Sequence, residues 1–78
     1  MSYAENRELE NMESVIFEAE EQLSAIEARF SEPDFCARYA REIPQLQQEL
    51  DAARLRVETL YARWEELENK QRELAANR

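Results

Sequence analysis

Residues 30–45 read FSEPDFCARYAREIPQ, and this stretch contains both prolines of the 78-residue chain. Proline disfavours helical backbone angles at the residue before it, so Pro33 predicts that a preceding helix ends near Phe30. Pro44 fits the first turn of a second helix, where a missing N–H has little cost. The stretch therefore predicts a break between two helices.

The break itself carries the pattern of a helix start. Ser31 suits an N-cap, Pro33 suits the first turn, and Asp34 supplies an early acid. We therefore expect a bend with a short helical turn at about residues 31–41.

On both sides of the bend, apolar residues recur at alternating spacings of three and four, which is the heptad pattern of a coiled coil. The first seam comprises Leu9, Met12, Ile16, Ala19, Leu23, Ile26 and Phe30. The second seam comprises Ile43, Leu46, Leu50, Ala53, Val57, Leu60, Trp64 and Leu67, with a weaker continuation through Gln71 to Leu74. Ser2 and Glu5 form a capping box that starts the first helix near Tyr3. We expect helix 1 at about 3–30 and helix 2 at about 42–74.

The two seams can pair antiparallel within one chain, and one register places apolar residues opposite each other in seven layers. The layers are Leu9–Leu67, Met12–Trp64, Ile16–Leu60, Ala19–Val57, Leu23–Ala53, Ile26–Leu50 and Phe30–Leu46. The same register places opposite charges side by side: Glu20 with Arg54, Glu8 with Lys70, and Arg29 with Glu49. Fully buried large side chains contribute about 1.5–3 kcal/mol each, so the apolar layers dominate the stability. We predict an all-α fold, an antiparallel two-helix coiled-coil hairpin with a short helical turn at the bend, forming one monomeric domain over residues 1–78.

The composition argues against catalysis. The chain has no glycine, so it cannot form the glycine-rich loops that cradle phosphates. It has no histidine and one cysteine, which excludes His-based triads and argues against a zinc site. The 18 acids are explained by solvated helix faces. We therefore assign no catalytic, cofactor-binding or metal-binding residue to this chain.

The sequence also bears on where the protein works. No apolar run approaches the roughly 20 residues of a membrane-spanning helix, so we expect no membrane partner. Cys36 is the only cysteine and cannot form an internal disulfide, which fits a reducing compartment. We expect a cytoplasmic protein.

The cations form a narrow pattern on an acidic chain of net charge −8. Three of them recur every seven residues along helix 2 and therefore form a stripe on one flank. The candidates for nucleic-acid contact are this stripe, Arg56, Arg63 and Lys70, together with Arg29, Arg38 and Arg41 near the bend. The alternative interpretation is that the stripe consists of solvated charges that set the helix register. The net charge itself argues against a simple electrostatic nucleic-acid binder.

The aromatic residues have two interpretations. Trp64 is either a core residue or a platform for stacking or docking, and its seam position favours the core. Phe35 and Tyr39 are expected to cap the core at the bend. Phe17 and Leu55 lie off both seams and mark either a lost neighbour or a surface for a partner.

Three stretches resemble the C-terminal domain of Uup-type ABC-F ATPases: SYAENRELE at 2–10, EPDF at 32–35 and YARWEELE at 61–68. In that family the domain begins with a Ser-Tyr-x-x-x-Arg-Glu-Leu-Glu run and ends with an Arg-Trp-Glu-x-Leu-Glu run, joined by an acidic-Pro-Asp-Phe turn. The residues that match these runs are Tyr3, Arg7, Glu8, Leu9, Arg63, Trp64, Glu65, Leu67 and Glu68. The resemblance covers nearly the whole chain.

The resemblance implies a non-catalytic accessory hairpin at the end of a cytoplasmic protein with two ATPase domains. It implies ATP and Mg as cofactors of the full-length protein and none in this chain. The partners it implies are DNA or RNA, the ribosome and the ATPase domains of the same chain. Two alternatives stay open beside nucleic-acid binding: a protein-docking or spacer arm, and a generic dimerising coiled coil.

Overall fold

The structure is a computed structural model that describes residues 1–76, and for Cys36 it describes the backbone only. Its helices are α1 at Tyr3–Phe30, α2 at Phe35–Arg38 and α3 at Ile43–Ala76. α1 and α3 pack side by side in opposite directions and form a rod of 61 × 17 × 17 Å. The predicted all-α antiparallel hairpin is confirmed, with α2 as the helical turn in the bend. Residues 77–78 of the predicted domain lie outside the described part of the chain.

The start of α1 is held by the predicted capping box. The hydroxyl of Ser2 accepts a hydrogen bond from the backbone N–H of Glu5 at 3.2 Å. In return, the Glu5 carboxylate accepts from the backbone N–H of Ser2 at 3.2 Å. These bonds satisfy N–H groups that have no partner within the helix, so α1 begins at Tyr3.

The chain leaves α1 through Ser31, which is the C-cap of this helix. Ser31 keeps near-helical angles (φ −85°, ψ −9°). Its N–H donates to the carbonyl of Ala28 at 3.2 Å, and the N–H of Glu32 donates to the carbonyl of Arg29 at 3.4 Å. The Ser31 hydroxyl donates to the Glu27 carbonyl at 3.2 Å. The expectation that Ser31 is the N-cap of the short helix is wrong, because the last turn of α1 already uses its hydroxyl. Asp34 occupies the N-cap of α2 instead and makes no side-chain capping bond.

The bend has a small aromatic core around Phe35, which is 1% exposed. The ring of Phe30 meets that of Phe35 edge-on at 5.4 Å between centroids. The ring of Tyr39 lies 5.4 Å away in a tilted arrangement. Phe35 therefore closes the core at the bend, whereas Tyr39, at 36% exposure, covers it only in part.

Pro44 lies in the first turn of α3. The first N–H groups of a helix have no partner within it, so proline's missing N–H is tolerated there. The helix is secured around it by the bond from the Leu46 N–H to the Glu42 carbonyl at 2.9 Å.

The two seams form the interface between α1 and α3. Every seam residue through Leu67 is buried or half-buried. The buried ones are Met12, Ile16, Ala19, Leu46, Leu50 and Leu67. The weaker continuation at Gln71 and Leu74 is exposed. The continuous run of buried and half-buried seam residues therefore ends at Leu67.

The open end of the hairpin, which lies opposite the bend, has a buried apolar cluster. Met12, Ile16 and Leu67 form this cluster, and Leu67 is fully buried. The half-buried residues packed against it are Met1, Leu9, Leu60 and Trp64. All except Met1 belong to the first three predicted layers. Trp64 is thus a half-buried core residue at the open end.

Candidate nucleic-acid interface

The six candidate cations separate into two groups in the structure. Three lie on the stem of the hairpin, along α3: Arg56, Arg63 and Lys70. Three lie at the bend end: Arg29 in the last turn of α1, Arg38 in α2 and Arg41 between α2 and α3. The fold therefore does not bring the six into one continuous surface.

Arg63 is tied to the opposite helix. Its Nε and Nη2 atoms donate to the two carboxylate oxygens of Glu8 at 2.8 and 2.9 Å. Its Nη1 atom lies 3.0 Å from the carboxylate of Glu66, one turn along α3. The hydrogen bond from Arg63 holds the pKa of Glu8 below its ordinary value, and the same bond raises the pKa of Arg63. The Arg63 guanidinium is therefore already paired with two carboxylates of its own chain.

Lys70 is paired in the same way. Its Nζ atom lies 2.5 Å from a carboxylate oxygen of Glu5. The hydrogen bond from Lys70, followed by that from the backbone of Ser2, lowers the pKa of Glu5 from 4.5 to about 2. Two of the three stripe cations are thus neutralised by α1, while Arg56 is exposed and forms no ion pair within residues 1–76.

The expected flank pairs are replaced by others on the same flanks. Glu8 pairs with Arg63, not with Lys70, which lies seven residues further along α3. Glu20 accepts a hydrogen bond from the Tyr61 hydroxyl, not from Arg54, which lies seven residues earlier. A residue on one helix faces two residues of its partner that are one heptad apart, so both partners are compatible with the same register. The predicted partners of Glu8 and Glu20 are therefore wrong, but the partners found in the structure lie on the predicted flanks.

The third expected pair also does not form. Arg29 and Glu49 line one shallow surface cleft, but they make no ion pair within the described part of the chain. Both side chains are exposed, so the attraction between them is weak against solvation and side-chain entropy.

At the bend end, two arginines flank an accessible aromatic ring. The Arg38 guanidinium lies over the ring of Tyr39, with Cζ 5.9 Å from the centroid. Residues 37–42 line a shallow concave surface that includes Arg41. Tyr39 was expected only as a cap of the core, and its contribution to this surface is new. The Arg-Tyr-Ala-Arg run at 38–41 was the available signal, because cations that alternate with an aromatic residue suit phosphates and bases together.

Charge is distributed unevenly along the rod. Residues 29–44 contain three arginines and three carboxylates, so their net charge is zero. The remaining residues contain seven cations and fifteen carboxylates and carry the entire net charge of −8. An approaching polyanion is therefore repelled least at the bend end.

Within residues 1–76, no three His, Cys, Asp or Glu side chains are grouped so that they could hold a metal ion. No helix in the same part of the chain is both long and apolar enough to span a bilayer.

Comparison with known families agrees with the resemblance of the three motif stretches. The sequence model of the family described as the ABC transporter C-terminal domain matches residues 1–69. Neither the curated proteins nor the solved structures gave a match. The match includes α1, the bend and α3 through Leu67, which is the complete apolar interface. This chain belongs to the ABC transporter C-terminal domain family.

Proposed function

We propose that this hairpin is the non-catalytic C-terminal accessory domain of a cytoplasmic ABC-F ATPase of the Uup type, and that its bend end contacts nucleic acid. Family membership supports the accessory role, and the three motif stretches support the Uup type. The observation that carries the nucleic-acid role is the surface of Arg38, Tyr39 and Arg41 on the neutral end of an otherwise acidic rod.

The chemistry of this surface suits a nucleic-acid backbone with an accessible base. Arginine side chains donate forked hydrogen bonds to phosphate oxygens. The Tyr39 ring is 36% exposed, and when the Arg38 guanidinium turns from the ring to a phosphate, the ring face it covered is open for an unpaired base to stack on. The surface therefore favours loops, bulges and single strands in DNA or ribosomal RNA over the side of a duplex.

The elongated shape of the hairpin would let the bend contact a partner far from the start of the chain. The bend lies at the opposite end of the 61 Å rod from residues 1–3. The acidic stem keeps a polyanion away from the rest of the rod, so contact is confined to the tip. Under this proposal, ATP and Mg act in the ATPase domains of the full-length protein. The hairpin takes part in no chemical step and positions the contact with nucleic acid.

Titration of the hairpin into single-stranded DNA, duplex DNA and structured RNA at two salt concentrations tests the proposal. Contacts from Arg29, Arg38 and Arg41 to about three phosphates give a log–log salt slope of roughly −2 to −3. The double variant Arg38→Gln/Arg41→Gln is expected to lose most of the binding. The matched control is Arg54→Gln/Arg72→Gln, which has the same net charge and changes only the stem.

Each outcome has a definite meaning. Equal loss in both double variants would show that binding depends only on total charge. If the single variant Arg56→Gln loses nucleic-acid binding and the two double variants do not, the contact lies on the stem and not at the bend. No binding by the parent at low salt would leave the protein-docking or spacer arm as the better description.

A further inference from the structure

One flank of the hairpin exposes aromatic side chains that are not buried in the core. The hydroxyl of Tyr61 on α3 donates to the Glu20 carboxylate on α1, so both residues lie on the same flank. Phe17 precedes Glu20 by three residues and therefore lies on the same face of α1. The ring of Tyr61 lies 6.2 Å from that of Trp64. We call Phe17, Tyr61 and the accessible part of Trp64 the aromatic flank.

These side chains are accessible. Phe17 is 61% exposed and Tyr61 is 44% exposed. Leu55, at the back of α3 beside this flank, is 63% exposed. Tyr61 is held in place by its bond to Glu20, which also raises the pKa of the phenol. A narrow two-helix rod therefore presents a pre-positioned apolar surface, and such surfaces are typical of contact sites.

The charges around the aromatic flank differ from those on the other side of the rod. With Leu9 and Trp64 at heptad position a, positions e and b of α1 and α3 border this flank. The acids at these positions are Glu10, Glu13, Glu20, Glu27, Asp51, Glu58, Glu65 and Glu68. The cations there are Arg54 and Arg72. In positions g and c, on the opposite flank, five acids face four cations: Glu8, Glu18, Glu49, Glu66 and Glu73 with Arg29, Arg56, Arg63 and Lys70. The aromatic flank therefore carries a net charge of −6 and the opposite flank −1.

The negative charge around the aromatic flank indicates what kind of partner can bind there. Nucleic acid, an anionic membrane surface and the same flank of a second copy are all negative and are repelled. A basic protein segment has the complementary sign, and an amphipathic helix also supplies apolar side chains at a matching spacing. We propose that the aromatic flank docks a lysine- and arginine-rich amphipathic helix of a protein partner.

The contacts of such a complex follow from the chemistry of each side. An aliphatic side chain of the partner packs on Phe17, which removes apolar surface of both from water. A lysine or arginine beside it lies over the Tyr61 ring or pairs with the surrounding carboxylates. The carboxylates mainly steer association and set specificity, while the aromatic rings hold the complex together.

A designed peptide provides the probe: an 18-residue amphipathic helix with leucine on one face and lysine on the other. Trp64 is the only tryptophan and lies at the edge of the flank, so its fluorescence reports binding without a label. We expect saturable binding at one peptide per hairpin, with a blue shift of the Trp64 emission.

Variants separate docking from diffuse attraction. Phe17→Gln is expected to weaken binding about tenfold, because it removes an apolar anchor. Glu13→Gln/Glu58→Gln/Glu65→Gln, on the aromatic flank, is expected to weaken binding at least about threefold. Glu18→Gln/Glu49→Gln/Glu73→Gln removes the same charge from the opposite flank and is expected to have a smaller effect. Circular dichroism confirms that each variant remains helical.

The proposal fails if the peptide does not bind at low salt. It also fails if the two triple variants weaken binding equally and Phe17→Gln has no effect, because the attraction is then set by total charge alone. Arg38→Gln/Arg41→Gln is expected to bind the peptide as the parent does. The test of docking on the aromatic flank is therefore independent of the test of nucleic-acid contact at the bend.

Discussion

The open end and the bend end of this hairpin use the same residue types for different purposes. At the open end, Arg63 and Lys70 are paired with Glu8 and Glu5 across the helix interface. At the bend end, Arg38 and Arg41 form no ion pair within residues 1–76. Each end has one apolar centre that is almost completely buried, Leu67 or Phe35.

This difference shows how an arginine's role depends on what the opposite helix presents. The stem brings acids of α1 within reach of cations of α3, so the cations become part of the helix interface. The bend has no opposite helix to supply acids, and its arginines remain available to a partner. The following predictions test this division.

The largest effect is expected for Phe35→Ala. Phe35 is 1% exposed and packs against Phe30 and Tyr39, so the substitution leaves a cavity at the bend. Truncation of a buried phenylalanine typically costs about 3–5 kcal/mol. Urea denaturation followed by circular dichroism measures this loss, and Phe17→Ala, at an exposed position, is the matched control. An unchanged midpoint for Phe35→Ala would mean that the bend has no core of its own.

Leu67→Ala is expected to cost about 2–5 kcal/mol, because Leu67 is fully buried in the cluster at the open end. Leu74→Ala serves as the control, since Leu74 lies one heptad further along α3 and is 49% exposed. The same denaturation experiment applies. Similar losses in both variants would contradict the end of the apolar interface at Leu67.

Arg63→Gln and Arg41→Gln compare the two kinds of arginine directly. Arg63→Gln is expected to lower the melting temperature by less than Leu67→Ala does, because it removes a bidentate ion pair and leaves Glu8 without its partner. Arg41→Gln is expected to leave the melting temperature unchanged within error. If Arg41→Gln destabilises the hairpin as much as Arg63→Gln, the division between structural and available arginines is wrong.

The smallest effect concerns pH. The pKa of Glu5 is lowered to about 2 in the folded hairpin, chiefly by the hydrogen bond from Lys70. Because the folded pKa lies below the ordinary 4.5, this carboxylate stabilises the fold fully above about pH 4.5. The stabilisation is lost as the pH falls from about 4.5 towards 2.

Thermal melts across that pH range check the assignment. Glu5→Gln keeps the capping-box geometry but loses the charge, so its stability is expected to depend less on pH. Glu10→Gln, one of the exposed acids of α1, is expected to keep the pH dependence of the parent. A parent and a Glu5→Gln variant with parallel profiles would contradict the ion pair with Lys70.

Much of the architecture was predictable because it depends on periodicity and backbone chemistry. The two heptad seams identify which side chains are withdrawn from water, and those residues are buried or half-buried through Leu67. Proline constrains the backbone locally, so Pro33 and Pro44 place the bend without reference to the rest of the fold. The capping box of Ser2 and Glu5 is equally local.

The candidate site was less predictable. All six cations are visible in the sequence, but their availability depends on carboxylates that are distant in the chain, such as Glu8, which is 55 residues from Arg63. The sequence predicted Ser31 as the N-cap of the short helix, but its hydroxyl bonds to the Glu27 carbonyl in the last turn of α1, where Ser31 is the C-cap. Tyr39 contributes to the bend surface only because Phe35 takes the buried position beside it.

The sequence by itself determined the hairpin, its bend and the residues of its interface, because heptad spacing, proline and capping act over a few residues and repeat along the chain. Only the tertiary structure decided which partner each flank residue takes. Glu8 has Arg63 and Lys70 within one heptad of each other on the facing helix, and one register permits either. The choice depends on side-chain geometry across the interface: Arg63 reaches both oxygens of Glu8, and Lys70 is drawn to Glu5.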